Sequence, residues 1–188
     1  MRLEKIKNFE WYNEPQNVGF TEEGLAIETL PNTDFWQNAD HNFYKDNGHF
    51  FYQAKEGDFV LAARLSFPHI KESAQGGIMA RFDAKNWIKA GLLSPNQYNL
   101  QLGIVVANQG SSDWSIVDLP NDTERLWLKI RRRGNDFIVW YGLSEEDLKQ
   151  VRMCHLSKIE KPMKIGAYAC SPKEESFECI LEDIDIRN

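Results

Sequence analysis

The feature that most constrains this chain is a period-two alternation of apolar and polar residues, carried in runs of six to ten and broken by turn residues. In an extended strand successive side chains point to opposite faces, so each such run has one apolar face and one polar face. Phe59, Leu61, Ala63, Leu65 and Phe67 fall on one side of the run 59–67. Leu100, Leu102 and Ile104 oppose Asn99, Gln101 and Gly103, and Leu126, Leu128 and Ile130 oppose Trp127, Lys129 and Arg131. Turn chemistry lies between the runs: Asp83-Ala84-Lys85-Asn86, Asn108-Gln109-Gly110-Ser111-Ser112 and Gly134-Asn135 each suit a hairpin, and Asp46-Asn47-Gly48 and Glu56-Gly57-Asp58 are similar breaks.

About a dozen short strands at regular spacing predict an all-β fold, a two-sheet antiparallel β-sandwich or jelly roll, with a closed barrel as the competitor. No helical pattern of 10–15 residues lies between the strands, which excludes a parallel α/β fold. The one helix-like stretch is Ser144–Gln150, with Ser144 as the expected N-cap and at most two turns. Nothing resembling a linker or repeat interrupts the 188 residues, so residues 1–188 are expected to form a single domain.

Composition narrows the functions. Lys plus Arg is 22 and Asp plus Glu is 28, a net charge of −6, which argues against nucleic acid as a partner. The basic run Lys129–Arg133 is split between two strand faces and reads as a solvated strand end. Cys154, Cys170 and Cys179 form no C-x-x-C pair and no disulfide framework. With neither a signal-peptide pattern at Met1–Lys7 nor a long apolar run, the expectation is a cytoplasmic protein that does not enter a membrane. His41, His49, His69 and His155 show no metal-ligand spacing, and no cofactor motif is present, so neither a metal nor a cofactor is expected.

Chemistry concentrates in one hairpin. Alternation in Gly77–Arg81 and Trp87–Gly91 sends Ile78, Ala80, Ile88 and Ala90 to the core and leaves Met79, Arg81, Trp87 and Lys89 as neighbours on the other face. An indole between two long cations suits a sugar or sugar acid, whose ring stacks on Trp87 while Arg81 and Lys89 donate to hydroxyls or a carboxylate. Two further clusters, Thr33-Asp34-Phe35-Trp36 leading to Asp46-Asn47-Gly48-His49-Phe50, and Ser112-Asp113-Trp114-Ser115, fall in expected loops at a pocket rim. Glu182-Asp183-Ile184-Asp185 is the nearest approach to a paired-carboxylate motif, but it has no aromatic platform and reads as a solvent-facing strand.

In order, Phe9–Pro15, Thr33–Trp36, Asp46–Phe50, Asn86–Gly91, Ser112–Ser115, Arg132–Gly134 and Ala169–Pro172 together resemble a domain-of-unknown-function family whose fungal members include the regulation-of-enolase protein. The resemblance runs from about Phe9 to Ile186. It implies a concanavalin A-like lectin/glucanase sandwich with ligands on a concave sheet face, where Arg81, Trp87 and Lys89 match family positions and Gln101 and Ser115 lie on neighbouring strands. Where family members carry an acid shortly after the K-A-G, this chain has Leu92-Leu93.

The expected function is a non-catalytic binding domain for a carbohydrate or sugar-derived small molecule, with Trp36, His49, Arg81, Trp87, Lys89, Gln101 and Trp114 as ligand-binding residues and no catalytic residue. Two alternatives stand beside it: an enzyme acting on a small sugar derivative with His49 and Asp46 as acid–base groups, and a module that binds a metabolic enzyme as its protein partner.

Overall fold

Phe59, Leu61, Ala63, Leu65 and Phe67 are all buried in one continuous core, together with Leu102, Ile104, Leu126, Leu128 and Ile130. The alternating strands close over that core as two stacked antiparallel sheets. The structure, a computed structural model, describes residues 3–38, 43–96, 98–157 and 162–188; His41 lies outside them.

Sixteen strands are described: β1 (Glu10–Tyr12), β2 (Asn17–Phe20), β3 (Leu25–Glu28), β4 (Phe35–Gln37), β5 (Tyr44–Asp46), β6 (His49–Lys55), β7 (Phe59–Ser66), β8 (Gln75–Asp83), β9 (Asn86–Asn96), β10 (Asn99–Asn108), β11 (Ser111–Leu119), β12 (Arg125–Arg133), β13 (Asp136–Gly142), β14 (Lys149–His155), β15 (Met163–Cys170) and β16 (Glu178–Arg187). The first sheet runs β1-β6-β15-β8-β9-β10-β11 and the second β14-β13-β12-β7-β16-β3-β2. Every pairing within them is antiparallel, as the jelly-roll expectation requires.

The hairpin turns fall where the turn residues stand. Gln109 and Gly110, between β10 and β11, have φ of 53° and 85°, and Gly134 after β12 has φ of 57°. Two consecutive left-handed residues match the twist of a two-residue hairpin.

The expected helix at Ser144–Gln150 does not form: 143–148 is a bent loop, and Lys149 already belongs to β14. Leu148 is the only apolar residue between Ser144 and Gln150, so a helix there has almost no face to bury. The helical element described is a single 3-10 turn, Leu3–Lys5, and no helix is long and apolar enough to cross a membrane.

The two sheets differ in a way that positions the site. β7 and β12 alternate between buried and partly exposed residues, as strands with one wet face do. β8, β9 and β10 instead carry unbroken buried runs, because a third layer covers their outer face. That layer is the short hairpin of β4 and β5, and its Phe35 forms a second apolar cluster with Phe50, Met79, Trp87, Val105, Ala107, Tyr168 and Cys170 of the sheet beneath.

Candidate functional site

The covering segment is tied down at both ends. The Thr33 N–H donates to the Ser171 carbonyl, and the Ser171 N–H returns a bond to Thr33 Oγ1 at 3.0 Å. At the other end the Asn47 and Gly48 N–H groups both donate to the Asp34 carbonyl, while Asn47 Oδ1 accepts from the Asp34 N–H. Gln37 reaches the sheet edge through a bond from its N–H to Ser112 Oγ.

Two cations of the sheet are paired with carboxylates of this cover. Arg81 meets Asp46 through two parallel bonds of 2.6 and 2.8 Å, a fork geometry that only Arg provides. Its guanidinium also lies 4.7 Å from the Tyr12 ring, and the Tyr12 hydroxyl donates to Asp46 Oδ2 at 2.9 Å. Burial, then the Asp46 bond, raise the Tyr12 pKa and keep the phenol protonated. Lys89 Nζ donates to Asp34 Oδ1 at 3.0 Å and to Gln75 Oε1 at 2.8 Å. Cys170 stands beside the same two oxygens at 3.6 Å, and burial pushes its thiol far above the ordinary range.

Arg81, Trp87 and Lys89 do share the face that alternation assigns them, but the cover seals most of it. Trp87 is fully buried and its Nε1 donates to the Ala84 carbonyl at 3.1 Å, so it offers no open stacking surface. Arg81 is sealed against Asp46. His49 is buried with both ring nitrogens used: Nδ1–H donates to the Asn13 carbonyl at 2.6 Å and Nε2 accepts from the Leu30 N–H at 2.9 Å. That fixes the neutral tautomer, and burial lowers its pKa. As acid–base groups, His49 and Asp46 are therefore both committed to structural bonds. Gln101 lies on the correct face of β10 and donates to Asp118 Oδ1 at 2.9 Å. Ser115 lies on β11, next to the strand of Gln101, but its hydroxyl faces the opposite way and accepts from Arg152. Asp183 and Asp185 stand on the far side of the molecule, on the second sheet, paired with Lys5 and Arg187.

Open space remains at one end of the cover. A cleft of about 100 Å³ lies there, with Trp36, Lys89 and Trp114 among its walls. Trp36 and Trp114 meet edge to face with centroids 6.0 Å apart, and Trp114 is 51% exposed. Asp34, Gln75 and Tyr168 also line the cleft, and none of the three was singled out as a binding residue by the sequence. Beneath them three glycines stand in one row between larger residues. Register places Tyr168 of β15, Gly77 of β8, Gly91 of β9, Gly103 of β10 and Ile116 of β11 side by side across five strands. At Gly77 and Gly91 a Cβ would run into the neighbouring backbone, whereas at Gly103 it would stand 3.5 Å from Trp114 Nε1, inside the cleft. Three glycines at matching register were the available sequence signal for a smooth floor.

The polar groups in this cleft are unevenly used. Among the described residues, Asp34 Oδ2, the Gln75 Nε2 amide and the Tyr168 hydroxyl have no hydrogen-bond partner, and the Lys89 ammonium uses two of its three donors. Tyr168 is only 2% exposed, and burial raises its pKa, so it presents a neutral hydroxyl. No group of three or more metal-ligating side chains occurs among the described residues.

Comparison with known proteins agrees with this architecture. The chain is 28% identical over 174 residues to "Regulation of enolase protein 1" of Saccharomyces cerevisiae, covering 92% of this chain and 86% of that protein. A crystal structure of a functionally unknown protein from the same yeast superposes with a TM-score of 0.89 at 23% identity, covering 97% of both chains. The carbohydrate binding module CBM66 from Bacillus subtilis shares the fold over 95% of both chains, with a TM-score of 0.62 at 14% identity. Residues 11–188 match a single family across both sheets and the covering hairpin, and the chain accordingly belongs to the family described as "Protein of unknown function (DUF1349)".

Proposed function

We propose that this protein is a non-catalytic binding domain for a carbohydrate or a sugar-derived small molecule, and that the ligand sits in the cleft walled by Trp36, Lys89 and Trp114. The observation that carries the reading is the convergence of unpartnered donors and acceptors, from Asp34, Gln75 and Tyr168, beside two indoles in one recess. A polyhydroxylated ring has this dual character: each hydroxyl donates and accepts, while the C–H face stacks on an aromatic ring. The fold shared with a carbohydrate binding module supports the reading. Gln101 stands two residues from Gly103 on the same face, but it is bonded to Asp118 and is not among the residues that line the recess. Arg81, Trp87 and His49 act in this reading as supports for the cover rather than as contacts.

The test is titration of the protein with a panel of mono- and oligosaccharides, followed by tryptophan fluorescence and calorimetry. At least one sugar is expected to bind, and Trp114→Ala is expected to weaken it about tenfold, roughly 1.4 kcal/mol, with an unchanged melting temperature because Trp114 is half exposed. Silence across the panel, or wild-type affinity in Trp114→Ala, overturns the reading.

A further inference from the structure

Building on the sugar-binding reading of the cleft, we infer that its ligand is uncharged: a neutral sugar ring, selected against the corresponding sugar acids and sugar phosphates by the Lys89–Asp34 pair.

Among the described residues, the charges that line the cleft are Lys89 and Asp34, and they sum to zero. They are also joined, Nζ to Oδ1 at 3.0 Å, with side-chain exposures of 2% and 12%. An ammonium by itself in such a recess attracts a carboxylate or phosphate. Here the anion's place beside it is already taken by Asp34, and Gln75 Oε1 holds a second N–H. An incoming anion therefore gives up its hydration and finds a cation whose field a carboxylate already cancels, an exchange that costs free energy. The same carboxylate has its other oxygen, Oδ2, unpartnered among the described residues, so it repels an anion where it accepts a hydroxyl.

Each remaining polar group suits a hydroxyl. Lys89 retains one N–H, Gln75 retains its amide N–H₂, and Tyr168 supplies a neutral O–H at the buried end of the row of glycines. Among the described residues no second cation lines the cleft to fix a carboxylate through a fork, and Arg81 spends both of its terminal nitrogens on Asp46. Size points the same way. About 100 Å³ is several times the roughly 10–15 Å³ a water needs and well below the ~300–1,000 Å³ of clefts that enclose a drug-sized molecule, which leaves room for one small ring. Gly103 keeps that room open, because its missing Cβ would point at Trp114 Nε1.

The experiment uses matched pairs: glucose with glucuronic acid and glucose 6-phosphate, and galactose with galacturonic acid and galactose 6-phosphate, together with oligosaccharides ending in each neutral sugar. Wild-type protein is expected to bind a neutral member at least tenfold more tightly than its charged partners. Affinity for the neutral member is expected to change less than twofold between about 50 and 500 mM salt, as it does when no net charge is exchanged. Asp34→Asn uncovers the Lys89 charge while keeping an oxygen for the Phe35 N–H, and it is expected to reduce the neutral-to-acid preference at least fivefold. If that variant fails to fold, Gln75→Glu, which adds a negative charge beside Lys89, is expected to widen the preference instead. A wild-type protein that binds an acid as tightly as its neutral partner, in a manner sensitive to Trp114→Ala, overturns the charge inference and leaves the binding site standing. A preference unchanged in both Asp34→Asn and Gln75→Glu overturns it as well. If neither neutral nor charged sugars bind, the sugar-binding reading itself fails and this inference falls with it. Gly103→Val, which fills the cleft from its floor, is expected to abolish binding; full binding in that variant overturns the location and with it the inference.

Discussion

Arg81 and Lys89 lie on the neighbouring strands of one hairpin, Arg81 opposite Trp87 and Lys89 opposite Met79, and both are buried against a carboxylate from the same covering segment. A buried pair gains little over a well-packed apolar pair, but removing one partner leaves the other charged and dry. Arg81→Ala is therefore expected to lose about 3–5 kcal/mol of stability in urea denaturation, and Arg81→Lys is expected to recover less than half of it, because an ammonium cannot form the fork. His49 is a second residue with a stated pH consequence. Its folded pKa is depressed by burial below the unfolded value of about 6.5, so protonation favours the unfolded chain. Stability is thus at its full value above about pH 6.5 and falls as the pH drops toward the folded pKa. Between about pH 6.5 and 5.5 the wild type is expected to lose stability steadily, and His49→Gln is expected to show a flatter profile from a lower starting point, read as urea midpoints at each pH.

Among the elements, the β4–β5 hairpin has the fewest means of holding itself in place. Each strand is three residues long, and the two pair with each other and not with either sheet. A hairpin of that size is at best marginal alone, so it relies on Asp46, Asp34 and the bonds to Ser171 and Ser112. Asp46→Asn is expected to speed hydrogen exchange of the Phe35–Gln37 and Tyr44–Asp46 amides at least tenfold, while β7 and β12 keep wild-type protection. The same hairpin explains what the sequence did and did not reveal. β7 and β12 could be read directly, because one face meets the core and the other meets water, and alternation reports that contrast. The polar face of β8 and β9 carries Arg81 and Lys89, which look solvent-facing until their partners are known. Those partners lie 35 and 55 residues away in the chain, in a stretch with no periodicity of its own. Of the binding candidates named from sequence, Trp36, Lys89 and Trp114 border the cleft, and they were legible because each is an aromatic or a cation beside polar residues. Gln75 and Tyr168 were not, since their role comes from register across the sheet and a segment folded over it, and Asp34 was visible only as a member of the Thr33–Trp36 cluster.

At the scale of the whole molecule, the chain is three layers: a second sheet with one wet face, a first sheet whose central strands β8, β9 and β10 are buried on both sides, and a small cover. The middle layer tolerates change unevenly. At Gly77 a Cβ meets the Ala90 carbonyl and the Gly91 backbone, whereas at Gly103 it meets only ordinary side-chain neighbours. Gly77→Ala is expected to cost about 3 kcal/mol and Gly103→Ala to stay within about 1 kcal/mol of wild type, a contrast that thermal denaturation of the two variants decides. The layering also separates what holds the protein together from what shapes its recess. The large core between the sheets contains no residue of β4 or β5, and the cover is drawn from one short stretch of chain, described over residues 33–38 and 43–48. A relative that changed only that stretch would keep its frame and acquire a different mouth. Exchange of the stretch between members of the family then becomes a practical way to transplant ligand preference, with the sandwich serving as a common chassis.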